Sequence, residues 1–216
     1  MKNAGRIFII GDIHGCLDPL TRMLDRIKWR PERDGLIFLG DYVDRGENSK
    51  GVIDLVMKIS RLSPSVQCLM GNHESIFLEY LDTGNMTTFL FNGGEATLRS
   101  YRRGQSIRDG IEIPEDHVVF MRALKHWIEL DDYYVVHAGF RPGVPLDKQA
   151  FEDLVWIRDP FIFSDYDFGK RVIFGHTPFP EPLVMENKIG LDTGAVYGNK
   201  LTCLELPALQ FHFVEA

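Results

Sequence analysis

Five short apolar runs in this chain end in glycine, or in a small polar turn, that delivers Asp, Asn or His. They are Ile9-Ile10-Gly11-Asp12-Ile13-His14-Gly15, Leu39-Gly40-Asp41-Tyr42-Val43-Asp44-Arg45-Gly46, Met70-Gly71-Asn72-His73-Glu74, Val135-Val136-His137-Ala138-Gly139 and Phe174-Gly175-His176-Thr177. A strand that stops at a glycine lets the backbone turn sharply, which presents the next polar side chain at the rim of a sheet and not within it. One rim is expected to collect all five.

Helical spacing separates the first runs. Asp18 and Pro19 supply a cap and a first-turn proline, after which Leu20, Met23, Leu24 and Ile27 share a face. A strand is expected over Leu36 to Leu39, a helix through Val52, Ile53, Val56 and Met57 that ends before Ser63-Pro64, a strand over Val66 to Met70 and a helix over Glu74 to Leu81. Such alternation predicts a parallel sheet whose ligands lie beyond the carboxyl ends of its strands. Asn92-Gly93-Gly94 breaks the pattern, and Pro114 precedes a helix expected from Asp116 to Trp127. Strands then dominate: Tyr133 to His137, Arg171 to Gly175, Leu183 to Glu186, Ile189 to Asp192, Leu201 to Leu206 and Gln210 to Val214. A second sheet packed on the first, with helices outside, is the expected architecture.

The chain has 216 residues, 44% apolar and 25% charged, which suits a single domain over residues 1–216. No apolar run approaches the roughly 20 residues of a membrane span, so no membrane partner is expected. The segment Met1 to Arg6 leads almost directly into a strand without an export signal, and Cys16, Cys68 and Cys203 are odd in number and far apart. Both features point to a reducing cytoplasm. A net charge of -7 argues against nucleic acid, which needs many clustered cations. It leaves room for a small anionic substrate held by a few local ones. No feature specifies an oligomeric state.

Asp12 and His14, two residues apart in an extended segment, face the same side and suit one ion. Asp41 adds a carboxylate that can bridge, while Asn72, His137 and His176 supply an amide oxygen and two imidazoles for a second. Oxygen and nitrogen donors without thiolate suit two divalent transition-metal ions. Ligand type alone does not choose among manganese, iron, zinc and cobalt; manganese is the expected metal. Two ions roughly 3.5 to 4 Å apart activate a bridging hydroxide for in-line displacement. His73 directly follows Asn72 and is the candidate general acid, with Asp44 fixing its other ring nitrogen. Arg45 and Arg158 are the candidate phosphate clamps.

These residues carry a resemblance over most of the chain. GDIHG, GDYVDRG and GNHE, followed by the HAG and GHTP histidines, resemble a metallophosphoesterase of the phosphoprotein phosphatase (PPP) family, close in pattern to bacterial and bacteriophage-lambda-type serine/threonine phosphatases. The resemblance implies Asp12, His14 and Asp41 at one ion and Asp41, Asn72, His137 and His176 at the other. It also implies His73 as acid, Asp44 as orienting carboxylate, and Arg45 and Arg158 on phosphate, the last through Trp156-Ile157-Arg158. The implied fold is α/β (α+β) and calcineurin-like: two mixed β-sheets packed as a sandwich and flanked by helices. The implied reaction is direct attack of metal-bound hydroxide on a phosphoprotein or a small phosphate ester. The resemblance weakens from Leu98 to Pro114 and from Asp159 to Lys170.

The rival enzymatic reading is a symmetrical diadenosine tetraphosphatase. Asp44 and Glu74 favour the protein-phosphatase forms GDxVDRG and GNHE over GDLVARG and GNHD. A catalytically silent phosphate-binding module is the reading from another class, and every motif position being filled argues against it. Arg99, Arg102, Arg103 and Arg108 read as a solvated face, with steering of anionic substrates as the alternative. His117, His126 and His212 read as structural or solvated, and Asp192-Thr193-Gly194 as a structural turn at the floor of the site. Cys16 is read mainly as packing, although its place at a helix start can favour thiolate character.

Overall fold

The short apolar runs become strands of two five-stranded sheets in the computed structural model, which describes residues 5–102 and 111–216. In the first sheet β1 (Ile7–Ile10), β2 (Gly35–Phe38) and β3 (Val66–Cys68) run parallel. The second contains β4 (Trp127–Glu129), β5 (Tyr133–Val136), β6 (Arg171–Phe174), β7 (Leu183–Val184) and β8 (Lys188–Gly190) in the order β4-β5-β6-β8-β7. Its middle three strands are parallel and its edges antiparallel. The chain then returns to the first sheet, adding β9 (Lys200–Leu206) antiparallel to β1 and β10 (Gln210–Glu215) outside it.

Each strand divides its side chains between two layers. Ile9, Ile37, Val135, Ile173, Ile189 and Leu204 form a layer between the sheets, with Leu39 and Leu69. Their neighbours Phe8, Ile10, Leu36, Phe38, Val136 and Phe174 belong to the other cluster, packed under the helices. Ile9, Ile37, Val135 and Ile173 are fully buried, each contributing about 1.5–3 kcal/mol through lost apolar exposure. The expected sandwich and its outer helices are therefore present.

The helices are α1 (Leu17–Ile27), α2 (Ser49–Ser60), α3 (Asn72–Thr83), α4 (Thr87–Phe91), α5 (Gly94–Arg102), α6 (Glu115–Arg122), α7 (Phe151–Trp156) and α8 (Asp159–Ile162). Three details differ from expectation. Helix α1 begins before Asp18, which pairs with Arg22 at 2.7 Å instead of capping. Helix α6 stops at Arg122 because Lys125 joins the open edge of β3: its N–H donates to Cys68 O at 3.0 Å and its carbonyl accepts from Met70 N at 2.8 Å. Trp127 is thereby placed in β4 and not in a helix. The strand-rich second half also contains α7 and α8, too short to show helical periodicity.

Candidate metal centre and active site

All six parallel strands of the two sheets end at one rim. β1 delivers Asp12 and His14, β2 delivers Asp41, β3 leads into Asn72 and His73 on the first turn of α3, β5 delivers His137, β6 His176 and β8 Asp192. Two glycines show what this convergence requires. Gly40 has φ 107°, and a Cβ there would lie 2.6 Å from Gly71 N. Gly175 has ordinary φ, but its Cβ would lie 2.1 Å from Asp12 Oδ1. Close approach, as much as the turn, explains the motif.

Asp41 stands between two groups of donors. Its Oδ2 is 3.4 Å from His14 Nε2, and its Oδ1 is 3.4 Å from His137 Nε2. Asn72 Oδ1 lies 3.2 Å from His137 Nε2 and 2.9 Å from His176 Nδ1. His14 Nδ1 sits 2.9 Å from Val43 O, and His137 Nδ1 sits 2.9 Å from Leu39 O. A carbonyl only accepts, so both Nδ1 atoms carry the proton and both Nε2 atoms face the centre as lone pairs. This is how a metal-ligating histidine is usually oriented.

Buried Asp12 donates nothing to relieve this crowd. Its Oδ2 accepts from His176 N at 2.9 Å, whereas its Oδ1 and His176 Nε2 have no hydrogen-bond partner. Burial, Asp192 and Asp41 raise the Asp12 carboxyl well above its usual range, and burial pushes Asp192 up to about 6. Orphaned oxygen, clustered carboxylates and unprotonated imidazoles fit bound cations. Two donor groups, one of His14, Asp41 and His73 and one of Asp41, His137 and His176, have the proximity to hold metal.

His73 differs from the other three histidines. Burial pushes His14 down to about 3 and His176 to about 2, and also lowers His137. Burial acts on His73 too, but Asp41 and Asp44 outweigh it and raise its pKa. Asp44 Oδ2 accepts from His73 Nδ1 at 2.7 Å, which leaves Nε2 facing the centre, 3.9 Å from Asp41 Oδ2. Burial raises Asp44 while its bond to His73 opposes this. Burial raises the Asp41 carboxyl, but the facing imidazoles of His137, His73, His14 and His176 outweigh it and hold Asp41 below the carboxylate range.

The backbone here is strained. Of seven non-glycine residues with positive φ among the described residues, five are His14 (46°), Asp41 (50°), Asp44 (70°), Arg45 (67°) and His176 (64°). Such conformations cost on the order of 1–3 kcal/mol each and persist where the surroundings impose them. Glu74 does so for one loop, accepting from Asp41 N, Tyr42 N, Val43 N and Gly71 N at 2.9, 2.8, 3.2 and 3.0 Å. Thr97 on α5 does so for the next: its Oγ1 accepts from Asp44 N at 2.8 Å and donates to Asp44 Oδ1 at 2.6 Å.

Arg45 donates to His14 Nε2 at 2.6 Å and lies over the exposed Tyr197 ring, 5.6 Å from its centroid. Arg158 donates to Thr177 Oγ1 at 3.1 Å, beside His176. All ten site residues expected from the sequence thus gather at the rim. Asp192, in the turn expected at the floor of the site, stands at the sixth strand end, while Thr97 and Ser49, whose Oγ accepts from Asp44 N at 3.1 Å, carry no sequence signal. The remaining histidines lie elsewhere: His117 bonds Tyr101 and Asp54, His126 packs on Phe151 and His212 bonds Glu205. Burial pushes the Cys16 thiol up to about 11, contrary to thiolate character. Arg99 pairs with Glu95 at 3.1 Å, and Arg103 and Arg108 lie outside the described residues.

A two-sheet sandwich with Asp, His and Asn donors at its strand ends and arginines beside them defines a phosphoesterase. The chain belongs to the calcineurin-like phosphoesterase family, whose profile matches residues 5–206, and the resemblance to PPP-type phosphatases holds. It is 27% identical over 206 residues to serine/threonine-protein phosphatase 1 of Salmonella typhimurium (strain LT2), covering 93% of this chain and 92% of that protein. It is 26% identical over 227 residues to the asymmetrical bis(5'-nucleosyl)-tetraphosphatase PrpE of Bacillus thuringiensis (strain Al Hakam), covering 94% and 91%. A crystal structure described as a candidate diadenosine tetraphosphatase superposes with TM-score 0.78 at 25% identity, covering 99% of this chain and 94% of that one. No helix of the described residues is long and apolar enough to cross a membrane.

Proposed function

We propose that this phosphoesterase is a phosphomonoesterase acting on phosphoserine and phosphothreonine, and on small aryl phosphates. The observation that carries this reading is the buried Asp44–His73 pair at 2.7 Å. An alkoxide leaves poorly unless it is protonated, so a seryl or threonyl ester needs an acid held charged at neutral pH. Asp41 and Asp44 together favour that state, and Asp44 fixes the ring. Cleavage of a polyphosphate chain expels a phosphate, which needs no such proton, so the pair is superfluous for dinucleotide hydrolysis.

Asp12, His14 and Asp41 would hold one divalent ion and Asp41, Asn72, His137 and His176 a second, manganese being the expected metal; bound there, the pair would supply Lewis-acid activation of water and neutralise phosphoryl charge. Arg45, in the loop after β2, and Arg158, at the N-cap of α8, clamp the phosphoryl oxygens. The water oxygen forms the new bond to phosphorus in line with the ester oxygen, that ester bond breaks, and His73 Nε2 gives its proton to the leaving oxygen. Asp44 keeps His73 oriented throughout by accepting from Nδ1. Dinucleotide hydrolysis is the second reading, favoured by the tetraphosphatase relatives. A cytoplasmic location is part of the proposal, supported by three unpaired cysteines.

A panel of phosphoserine, phosphothreonine and phosphotyrosine peptides, symmetrical and asymmetrical assays of diadenosine tetraphosphate, and a bis-aryl phosphodiester, each with defined metals, tests the reading. The highest kcat/KM is expected on the phosphoserine or phosphothreonine peptides. A preference for the dinucleotide of about tenfold or more would assign the chain to the second reading.

A further inference from the structure

We infer that Lys188, on β8, is a positioning residue for the Arg158 clamp, an inference resting on the phosphate-binding role proposed for Arg158. Lys188 is 1% exposed. Its ammonium forms no ion pair with any described residue. Instead its Nζ donates to Phe161 O at 2.9 Å and Ile162 O at 3.2 Å and to Ser164 O, and lies 4.9 Å from the Phe161 ring centroid. Phe161 and Ile162 close the C-terminal end of α8, the helix whose N-cap is Arg158, and Ser164 lies two residues beyond it.

Helix α8 has four residues, too few to be stable without outside support. Of its final carbonyls, Phe161 O also accepts from Ser164 N, beyond the helix, at 3.3 Å, and a cation is a favourable group to meet such carbonyls. At its other end, Arg158 O accepts from Phe161 N and Ile162 N, both at 2.9 Å. The same two residues whose N–H groups hold Arg158 O are therefore held by Lys188 through their carbonyls. Asn187, the preceding residue, donates to Ser164 O at 3.1 Å. Burying an ammonium among carbonyls is costly compared with burying a methionine. The charge ties a segment of loops and single turns to a strand of the second sheet, and so fixes where Arg158 begins.

Steady-state kinetics on 4-nitrophenyl phosphate in the metal-loaded full chain tests this, using Lys188→Met, Lys188→Arg and Asn187→Ala, each with and without Arg158→Ala. Displacement of a clamp is expected to raise KM about tenfold in Lys188→Met, with kcat changed less than threefold. Lys188→Arg is expected to recover most of the loss, and Asn187→Ala to show a smaller rise in the same direction. In the Arg158→Ala background, Lys188→Met should add less than twofold, because the clamp it positions is gone. An equal further loss in that background, or an unchanged KM in folded Lys188→Met, overturns the inference and leaves the Arg158 assignment standing. If Lys188→Met does not fold, Asn187→Ala decides by the same two comparisons. Unaltered kinetics in Arg158→Ala alone overturns the clamp itself, and the positioning role with it.

Discussion

Replacing Glu74 with Asp isolates the carboxylate that holds the Asp41 loop. Glu74 is fully buried and accepts four backbone N–H bonds, two on each oxygen: Tyr42 and Val43 on Oε1, Asp41 and Gly71 on Oε2. Aspartate shortens the reach by one carbon–carbon bond, about 1.5 Å, so it cannot keep both pairs. Two orphaned buried donors at about 1–3 kcal/mol each, reduced by local relaxation, predict a loss of about 2–4 kcal/mol. That is a large part of a typical 5–15 kcal/mol stability. Urea unfolding followed by circular dichroism reads the loss as a lower midpoint at unchanged slope. Because Asp41 sits at positive φ, turnover of 4-nitrophenyl phosphate should also fall at least about tenfold. Glu74→Asp within about 0.5 kcal/mol of wild type, with wild-type turnover, would refute the reasoning.

Asp44→Asn preserves the reach to His73 and Thr97 but removes one of the two carboxylates, Asp41 and Asp44, that raise His73. Its kcat on a phosphoserine peptide should fall about 100-fold or more, and on 4-nitrophenyl phosphate much less, because nitrophenolate leaves without a proton. The protonated form of His73 is present below its pKa, so the alkaline limb of wild type should lie above 6.5, the ordinary histidine value; it should move down in Asp44→Asn, as a kcat–pH profile would read. Asp34 allows a stability test away from the site. Burial opposes its ionisation, but bonds from Arg6 at 2.7 Å and Arg30 N at 3.0 Å hold its pKa below 3.8. Its contribution is therefore present above that unfolded value and lost as pH falls through the lower folded one. Asp34→Asn should be about 1–2 kcal/mol less stable at pH 7, with the gap closing below pH 3.8.

The strand ends were legible because each demands a local compromise that shows in the sequence. Gly40 and Gly175 stand where a Cβ would collide with Gly71 or Asp12, and a polar residue follows each. The bracing was not legible. Thr97 reaches Asp44 across 53 positions, and a threonine in an amphipathic helix carries no mark of that contact. The end of α6 was hidden for a related reason: the residues after Arg122 keep an apolar helical pattern, and only the open edge of β3 draws Lys125 out of it. Lys188 stands just before the strand expected from Ile189 and carries no mark of burial in the sequence; that burial follows from α8 lying against it. What the sequence displayed were steric exclusions, while what it concealed were long-range partners.

Metal content measured alongside turnover tests the central claim most directly. Wild-type protein loaded with manganese and freed of excess should hold two equivalents per chain; a chelator should remove both along with turnover of 4-nitrophenyl phosphate, and manganese should restore them together. Full turnover in metal-depleted protein, or full turnover at a single equivalent per chain, would contradict a two-ion centre bridged by Asp41.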